Sequence, residues 1–247
     1  MYEKIKNIGK KLIPKNILKK NKSFLRIVVA SFYKGNNYEC NVCGFKLSKF
    51  IELKNKERIC PKCGSLPRTR RLWEVINEQI EIKQKEILHF SPSKSLQTKI
   101  RRLNAKEYTT TDYAGEFDAK KKFNIEAIDE VDEKYDLIIC YHILEHIEND
   151  SQAMQELFRI LKKDGKCIIQ TPFKEGEIFE DKKIKTKEER TLHFGQDDHV
   201  RIYSAKGLTN RLEAVGFKTD LQIYNSTSEN KYGFRTNETI IIATKVA

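Results

Sequence analysis

KYDLIICYHILEHIENDSQAMQELFRILKKDGKCIIQTPF, residues 134–173, decides the fold. Residues 137–140 (LIIC) form a short apolar run without alternation, the pattern of a parallel strand covered on both faces. Ala153, Leu157, Ile160 and Leu161 recur at helical spacing and predict an amphipathic helix, which Asp164-Gly165 ends. Residues 167–170 (CIIQ) read as the next buried strand. The polar cluster Tyr141, His142, Glu145 and His146 falls just past the carboxyl end of the first strand, where open α/β sheets bind ligands. Cys140 and Cys167 lie inside the two strands and read as small core residues rather than nucleophiles.

Working outward, the 247 residues accommodate one ordinary domain and a small extra module. With 33% charged and 39% hydrophobic residues, the composition is that of a globular chain rather than a disordered one. The net charge of +12 is unevenly placed: residues 1–34 carry ten Lys or Arg against a single acid, Glu3. The remainder is close to balanced, so the basic pI is a poor argument for nucleic acid. In the N-terminal segment Ile5, Ile8, Leu12 and Ile13 can share one helix face before Pro14 interrupts it. The apolar stretch 25–33 is shorter than the roughly 20 residues a membrane-spanning helix needs, and no small-residue cleavage site follows it. Two readings stay open here: a basic docking arm or peripheral anchor on anionic lipid, and a solvated helix packed on the next module.

Cys40-x-x-Cys43 and Cys60-x-x-Cys63 stand sixteen residues apart, a spacing that matches a tetrahedral four-cysteine zinc site. Gly44 and Gly64 follow the second cysteine of each pair and permit a tight knuckle. The segment resembles a zinc ribbon, and a closed four-thiolate site implies a structural metal. Arg68, Arg70 and Arg71 follow. They can contact a phosphate or acidic glycan, or open a docking helix; Leu72, Trp73, Val75, Ile76 and Ile80 at helical spacing favour docking.

Residues 141–146 (YHILEH) and 153–165 (AMQELFRILKKDG) resemble the "hxLEH" and "AhxExxRxLKPGG" signatures of class I S-adenosylmethionine-dependent methyltransferases. The resemblance covers about the last two-thirds of the chain. It implies a Rossmann-like α/β fold with a seven-stranded, mostly parallel sheet and helices on both faces. The organisation expected is a basic segment over 1–38, a zinc ribbon over 39–72 and a methyltransferase domain over 73–247. Residues 86–93 (EILHFSPS) resemble the "LHFAPE" first motif of a subgroup that lacks the usual glycines. On this resemblance Phe90, Ser91 and Pro92 frame the S-adenosylmethionine pocket. Asp112, after the strand 107–111 (EYTTT), is placed to accept from both ribose hydroxyls. Asn124 is placed at the adenine amino group, Ile125 on the adenine face, and Tyr141 and His142 beside the cofactor.

The insertion 173–203 carries residues 193–203 (HFGQDDHVRIY), which resemble the segment after strand five in the same subgroup. A loop there lies over the transferred methyl. His199 is the first candidate base and His193 the second, because imidazole titrates near neutral pH; Asp198 can orient either, and His142 and His146 compete for the role. A helix over 205–215 with Gly216 after it, then strands over 217–224 and 238–244, complete the fold, the last strand antiparallel. The function implied is methyl transfer from S-adenosylmethionine, with O-methylation of a saccharide or related small metabolite preferred. RNA methylation and a non-catalytic binding module are the alternatives. The expected location is cytoplasmic, with residues 1–34 a candidate for peripheral contact with anionic membrane.

Overall fold

The computed structural model describes residues 22–225 and 229–246. They divide into two compact units. The predicted amphipathic helix around Ile5–Ile13 lies outside the described residues.

Unit one takes its described part from residues 22–81, 93–102 and 225–236. It contains α1 (Lys22–Ser31), β1 (Lys34–Cys40), β2 (Phe45–Leu47), β3 (Ile51–Glu52), β4 (Arg58–Ile59), α2 (Pro67–Gln79) and α3 (Lys94–Ile100). β1 pairs with β2, and β3 with β4, both antiparallel. Pro67 opens α2, where its missing N–H costs nothing. Leu72, Trp73, Val75 and Ile76 are buried from the helix face that their spacing predicts.

This unit reaches beyond the ribbon expected over 39–72, and one buried side chain ties its segments together. Arg70 is fully buried. Its guanidinium donates to the carbonyls of Ser65 (2.7 Å), Arg58 (3.0 Å), Tyr232 (2.6 Å) and Gly233 (2.7 Å), and lies 4.2 Å from the Phe50 ring centre. The fixed fork of five N–H donors lets one arginine satisfy several backbone acceptors at once. A segment more than 160 residues away is thereby tied to the ribbon. Arg71 ion-pairs with Glu74 and sits 3.7 Å from the Phe234 ring centre. These two arginines therefore serve docking inside the unit.

Unit two takes residues 82–92, 103–224 and 237–246. Its elements are β5 (Glu86–Phe90), β6 (Glu107–Thr111), β7 (Tyr135–Tyr141), α4 (Asp150–Ile160), β8 (Leu161–Gln170), β9 (Phe179–Glu180), α5 (Lys187–Phe194), β10 (Arg201–Ile202), α6 (Ala205–Val215), β11 (Phe217–Tyr224) and β12 (Glu238–Lys245). The main sheet has the order β11-β12-β8-β7-β5-β6. β6, β5, β7 and β8 run parallel, and β12 is antiparallel to both neighbours, as the sequence predicts for the last strand.

Among the described residues this sheet has six strands, not the seven expected. Beyond β6 only the bridge Thr111–Lys121 forms. Residues 113–122 (YAGEFDAKKK) hold no apolar run that would bury a further strand, and burial resumes at Phe123. Of the helices expected on both faces, α4, α5 and α6 belong to unit two, while α2 and α3 group with unit one.

The core follows the predicted pattern. Leu137, Ile138, Ile139 and Cys140 are buried, as are Ala153, Leu157, Ile160 and Leu161. Burial pushes the Cys140 and Cys167 thiols well up, which suits core residues. The helix, however, ends at Ile160 rather than at Asp164-Gly165. Lys162 explains the early stop. Its ammonium lies 2.6 Å from Glu86 and 3.0 Å from Asp136, at the amino ends of β5 and β7, so the chain must already have left the helix to reach them. Ser204 caps α6 by accepting from the Gly207 amide at 3.1 Å, and Gly216 follows with φ +117°, a left-handed turn that suits glycine.

Candidate functional site

The carboxyl ends of β6, β5, β7 and β8 place Asp112, Ser91, His142 and Gln170 in a row. Ser91, a residue with a β-carbon, stands in the turn after β5. It nevertheless takes φ +44°, the left-handed region that disfavours a β-carbon. Two bonds hold it there: its amide donates to the Thr111 carbonyl at 2.7 Å, and its hydroxyl to Asp112 Oδ1 at 2.7 Å. Asp112 Oδ2 accepts from the Phe117 amide at 3.0 Å. The buried carboxylate is thus aimed by one donor on each oxygen, with a second lone pair on each still available.

At the next strand His142 also takes a positive φ, +55°. Its Nδ1 lies 3.1 Å from Glu145 Oε1. Four buried polar atoms here have no partner: His142 Nε2, Glu145 Oε2, Gln170 Oε1 and Thr171 Oγ1. A buried group left unpaired costs about 1–3 kcal/mol, so their convergence at the ends of two central strands marks a place that a ligand completes.

Glu145 lies in a 3-10 turn, Leu144–His146, that a second segment fixes from across the chain. The Val200 amide donates to the Glu145 carbonyl at 2.9 Å. The buried Arg201 guanidinium donates to the carbonyls of Ile147 and Glu148 (2.9 Å for the latter) and at 3.3 Å to that of Leu144. These contacts bring His199 against His146, with ring centres 4.7 Å apart and edge to face. Asp198 Oδ2 lies 3.1 Å from His146 Nδ1. Burial works to raise the Glu145 pKa, but the His142 hydrogen bond and the nearby His142 and His146 charges outweigh it, so the carboxyl sits below its usual range. Burial holds the His199 imidazole below its ordinary pKa.

A family model described as "Methyltransferase domain" matches residues 74–222. The chain belongs to this methyltransferase family. An uncharacterised protein of Methanocaldococcus jannaschii is 32% identical over 90 residues, 35% of this chain and 40% of that protein. A ubiquinone biosynthesis O-methyltransferase of Rickettsia conorii is 36% identical over 76 residues, 30% of this chain and 26% of that protein. These matches thus span well under half the length of either relative. Among solved structures, an S-adenosylmethionine-dependent methyltransferase of Archaeoglobus fulgidus superposes with a TM-score of 0.51 at 15% identity, covering 74% of this chain and 95% of its own. A Mesorhizobium loti methyltransferase gives 0.51 at 11% identity, covering 70% and 96%. At such identities the likeness is one of fold.

Within the methyltransferase domain the expected cofactor residues separate into two groups. Phe90, Ser91, Pro92, Asp112, Tyr141 and His142 stand at strand ends in the row described above. Asn124 is exposed, and its Oδ1 accepts from the Glu126 amide at 3.1 Å, an Asx turn that leaves its amide nitrogen outward. Ile125 is buried and packs in the core with Phe90, Phe123 and Ile128. His193 is exposed at the end of α5 beside the Phe179 ring and does not join the His146–His199 pair. Glu145 belongs to the polar cluster that the sequence singles out, whereas Gln170 and Thr171 were not foreseen as site residues. The signal for these two was positional, since Gln170 ends β8 and Thr171 follows it.

In unit one the four cysteines converge. Cys40 and Cys63 Sγ are 3.6 Å apart, Cys43 and Cys60 Sγ 3.9 Å, and all four lie within 4.8 Å of one another. Four bonds of about 2.3 Å in a tetrahedron place sulfurs about 3.8 Å apart, whereas a disulfide needs about 2.05 Å. The donor set therefore fits zinc. Gly44 and Gly64, at φ +68° and +79°, return their amides to the Cys40 and Cys60 carbonyls at 2.7 and 3.0 Å and form the two knuckles.

Proposed function

We propose that this protein transfers the methyl group of S-adenosylmethionine to an oxygen of a saccharide or related small metabolite. The observation that carries the reading is the row Asp112, Ser91, His142 and Gln170 at the carboxyl ends of four parallel strands, in a chain of the methyltransferase family. Asp112 would bind the ribose through the lone pairs that Ser91 and Phe117 leave open. The orphaned atoms of His142, Gln170 and Thr171 would meet polar groups of cofactor or acceptor. The sulfonium supplies an activated methyl for in-line displacement, and the protein aligns the acceptor and removes its proton. The acceptor hydroxyl would be activated at the Glu145–His146–His199 group, with Asp198 orienting His146, rather than at the exposed His193.

Oxygen as the accepting atom is supported by the short match to a relative whose name specifies O-methylation. An anionic or lipid-linked acceptor is supported by the basic segment 1–34 and by the exposed Phe24, Ile27 and Phe32 around α1. No helix among the described residues is long and apolar enough to cross a membrane. Zinc in the ribbon would be structural, since four thiolates leave no position open.

The non-catalytic alternative rested on the missing glycines, and the left-handed Ser91 weakens it, because the turn keeps the backbone shape that glycine ordinarily supplies. Calorimetry with S-adenosylmethionine and S-adenosylhomocysteine, followed by transfer of a labelled methyl to a panel of saccharides, tests the reading. Absence of any binding by the wild-type chain overturns it.

A further inference from the structure

Two clusters among the described residues bring three or more metal-type donors together. One is the four-cysteine set. The other is Glu145, His146 and His199, each offering a ligand atom within 4.8 Å of the others. We propose that Glu145, His146 and His199 bind a divalent first-row transition metal ion, independently of the ribbon.

The argument begins with what each donor lacks. Glu145 is 1% exposed, and its Oε2 has no hydrogen-bond partner. An ionised carboxylate oxygen out of water without a donor is costly, and a cation removes that cost. His146 directs Nδ1 to Asp198 Oδ2 at 3.1 Å, so with the proton there Nε2 keeps its lone pair. The buried His199 stands edge to face against the His146 ring and offers a ring nitrogen to the cluster. An imidazole that gives its N–H to a carboxylate or a backbone carbonyl is the usual outer arrangement of a metal-bound histidine. His146 has it.

The backbone is fixed before any ion arrives. Val200 bonds to the Glu145 carbonyl and Arg201 holds the carbonyls of the turn, so the two ligand-bearing segments cannot drift apart. Tetrahedral bonds of about 2.1 Å need donors about 3.4 Å apart. His146, 30% exposed at its side chain, is the least confined of the three ligands. Two imidazoles with one carboxylate select zinc, iron, manganese or cobalt over magnesium and calcium, which prefer oxygen.

Three protein donors leave a position open. There a cation would polarise an acceptor hydroxyl, so that its proton leaves to water while its oxygen forms the new O–C bond and the sulfonium S–C bond breaks. This use of the site rests on the methyl-transfer reading. The site itself rests on its donors alone.

Cobalt(II) separates the two centres. Titrated into full-length protein carrying zinc in the ribbon, one equivalent is expected to bind, with weak visible bands and no thiolate charge transfer. Glu145→Gln and His199→Asn are each expected to weaken it at least about tenfold. His146→Gln, at the most exposed ligand, gives the same readout should a buried variant fail to fold. Asp198→Asn is expected to weaken it about tenfold, the effect of an outer partner. No cobalt uptake, uptake only with thiolate bands, or wild-type affinity in every folded ligand variant overturns the proposal. S-adenosylmethionine titrated in parallel distinguishes the failures: cobalt binding without cofactor binding keeps the metal site and removes the methyl-transfer reading.

Discussion

The two donor clusters of this molecule are built in opposite ways. The ribbon draws four chemically identical ligands from two short knuckles within 24 residues, and their sulfurs already stand at the spacing of a bound ion. The Glu145–His146–His199 group joins a 3-10 turn to a loop more than 50 residues further on and mixes oxygen with nitrogen. A saturated site of like ligands can only hold structure. An unsaturated one, with an orphaned carboxylate oxygen and outer partners already in place, is suited to chemistry. The same contrast separates the arginines that serve each unit: Arg70 closes the ribbon unit, and Arg201 holds a turn that presents ligands.

The contrast is broken most directly at the ribbon. Cys60→Ser is expected to lose one equivalent of zinc and to unfold unit one, because apparent zinc binding to such sites is worth about 10–16 kcal/mol. Metal analysis with limited proteolysis of the variant reads both effects. Full zinc content with an intact unit would remove the structural role.

The second cluster answers to turnover. Glu145→Gln and His199→Asn are each expected to lower methyl transfer by about 10²–10⁴-fold, and the double variant by no more than the worse single one, as groups acting together do. Additive losses would show two independent residues. Asp112→Ala is expected to weaken S-adenosylmethionine by about 1.5–3 kcal/mol, the range for hydrogen bonds to a charged group, and calorimetry decides it. Unchanged affinity would move the ribose site elsewhere.

A buried imidazole outside both clusters gives a control. His89, in β5, is 2% exposed, with Nδ1 2.9 Å from the Tyr108 hydroxyl, and burial lowers its pKa to about 3. The folded protein therefore keeps it neutral while the unfolded chain protonates it below about pH 6.5. The unfolded state binds the extra proton, so stability is expected to fall with decreasing pH by about 1.4 kcal/mol per unit between roughly 6.5 and 3. Denaturant titrations from pH 7 to 4 should show a shallower slope for His89→Phe. An unchanged slope would mean that His89 is protonated in the fold.

Much of this was legible in the chain because the signals were local. Strand β7, the apolar face of α4, the paired knuckles and helix α6 depend on periodicity and spacing over a few residues, and each stands where those patterns put it. The exceptions had non-local causes. Helix α4 stops early because Lys162 reaches two carboxylates on other strands, and the seventh strand shrinks to one bridge because residues 113–122 hold no apolar run. The sequence by itself determined the α/β class and the four-cysteine cluster, and it put the Asp112 and LEH segments at the carboxyl ends of strands. Only the tertiary structure decided that 225–236 joins the ribbon unit, that Ser91 turns left-handed without glycine, and that His199 rather than His193 meets Glu145 and His146. The physical reason is the same in each case. Long-range contacts, made by buried arginines and backbone hydrogen bonds between segments distant in the chain, leave no periodic trace in the residues that make them.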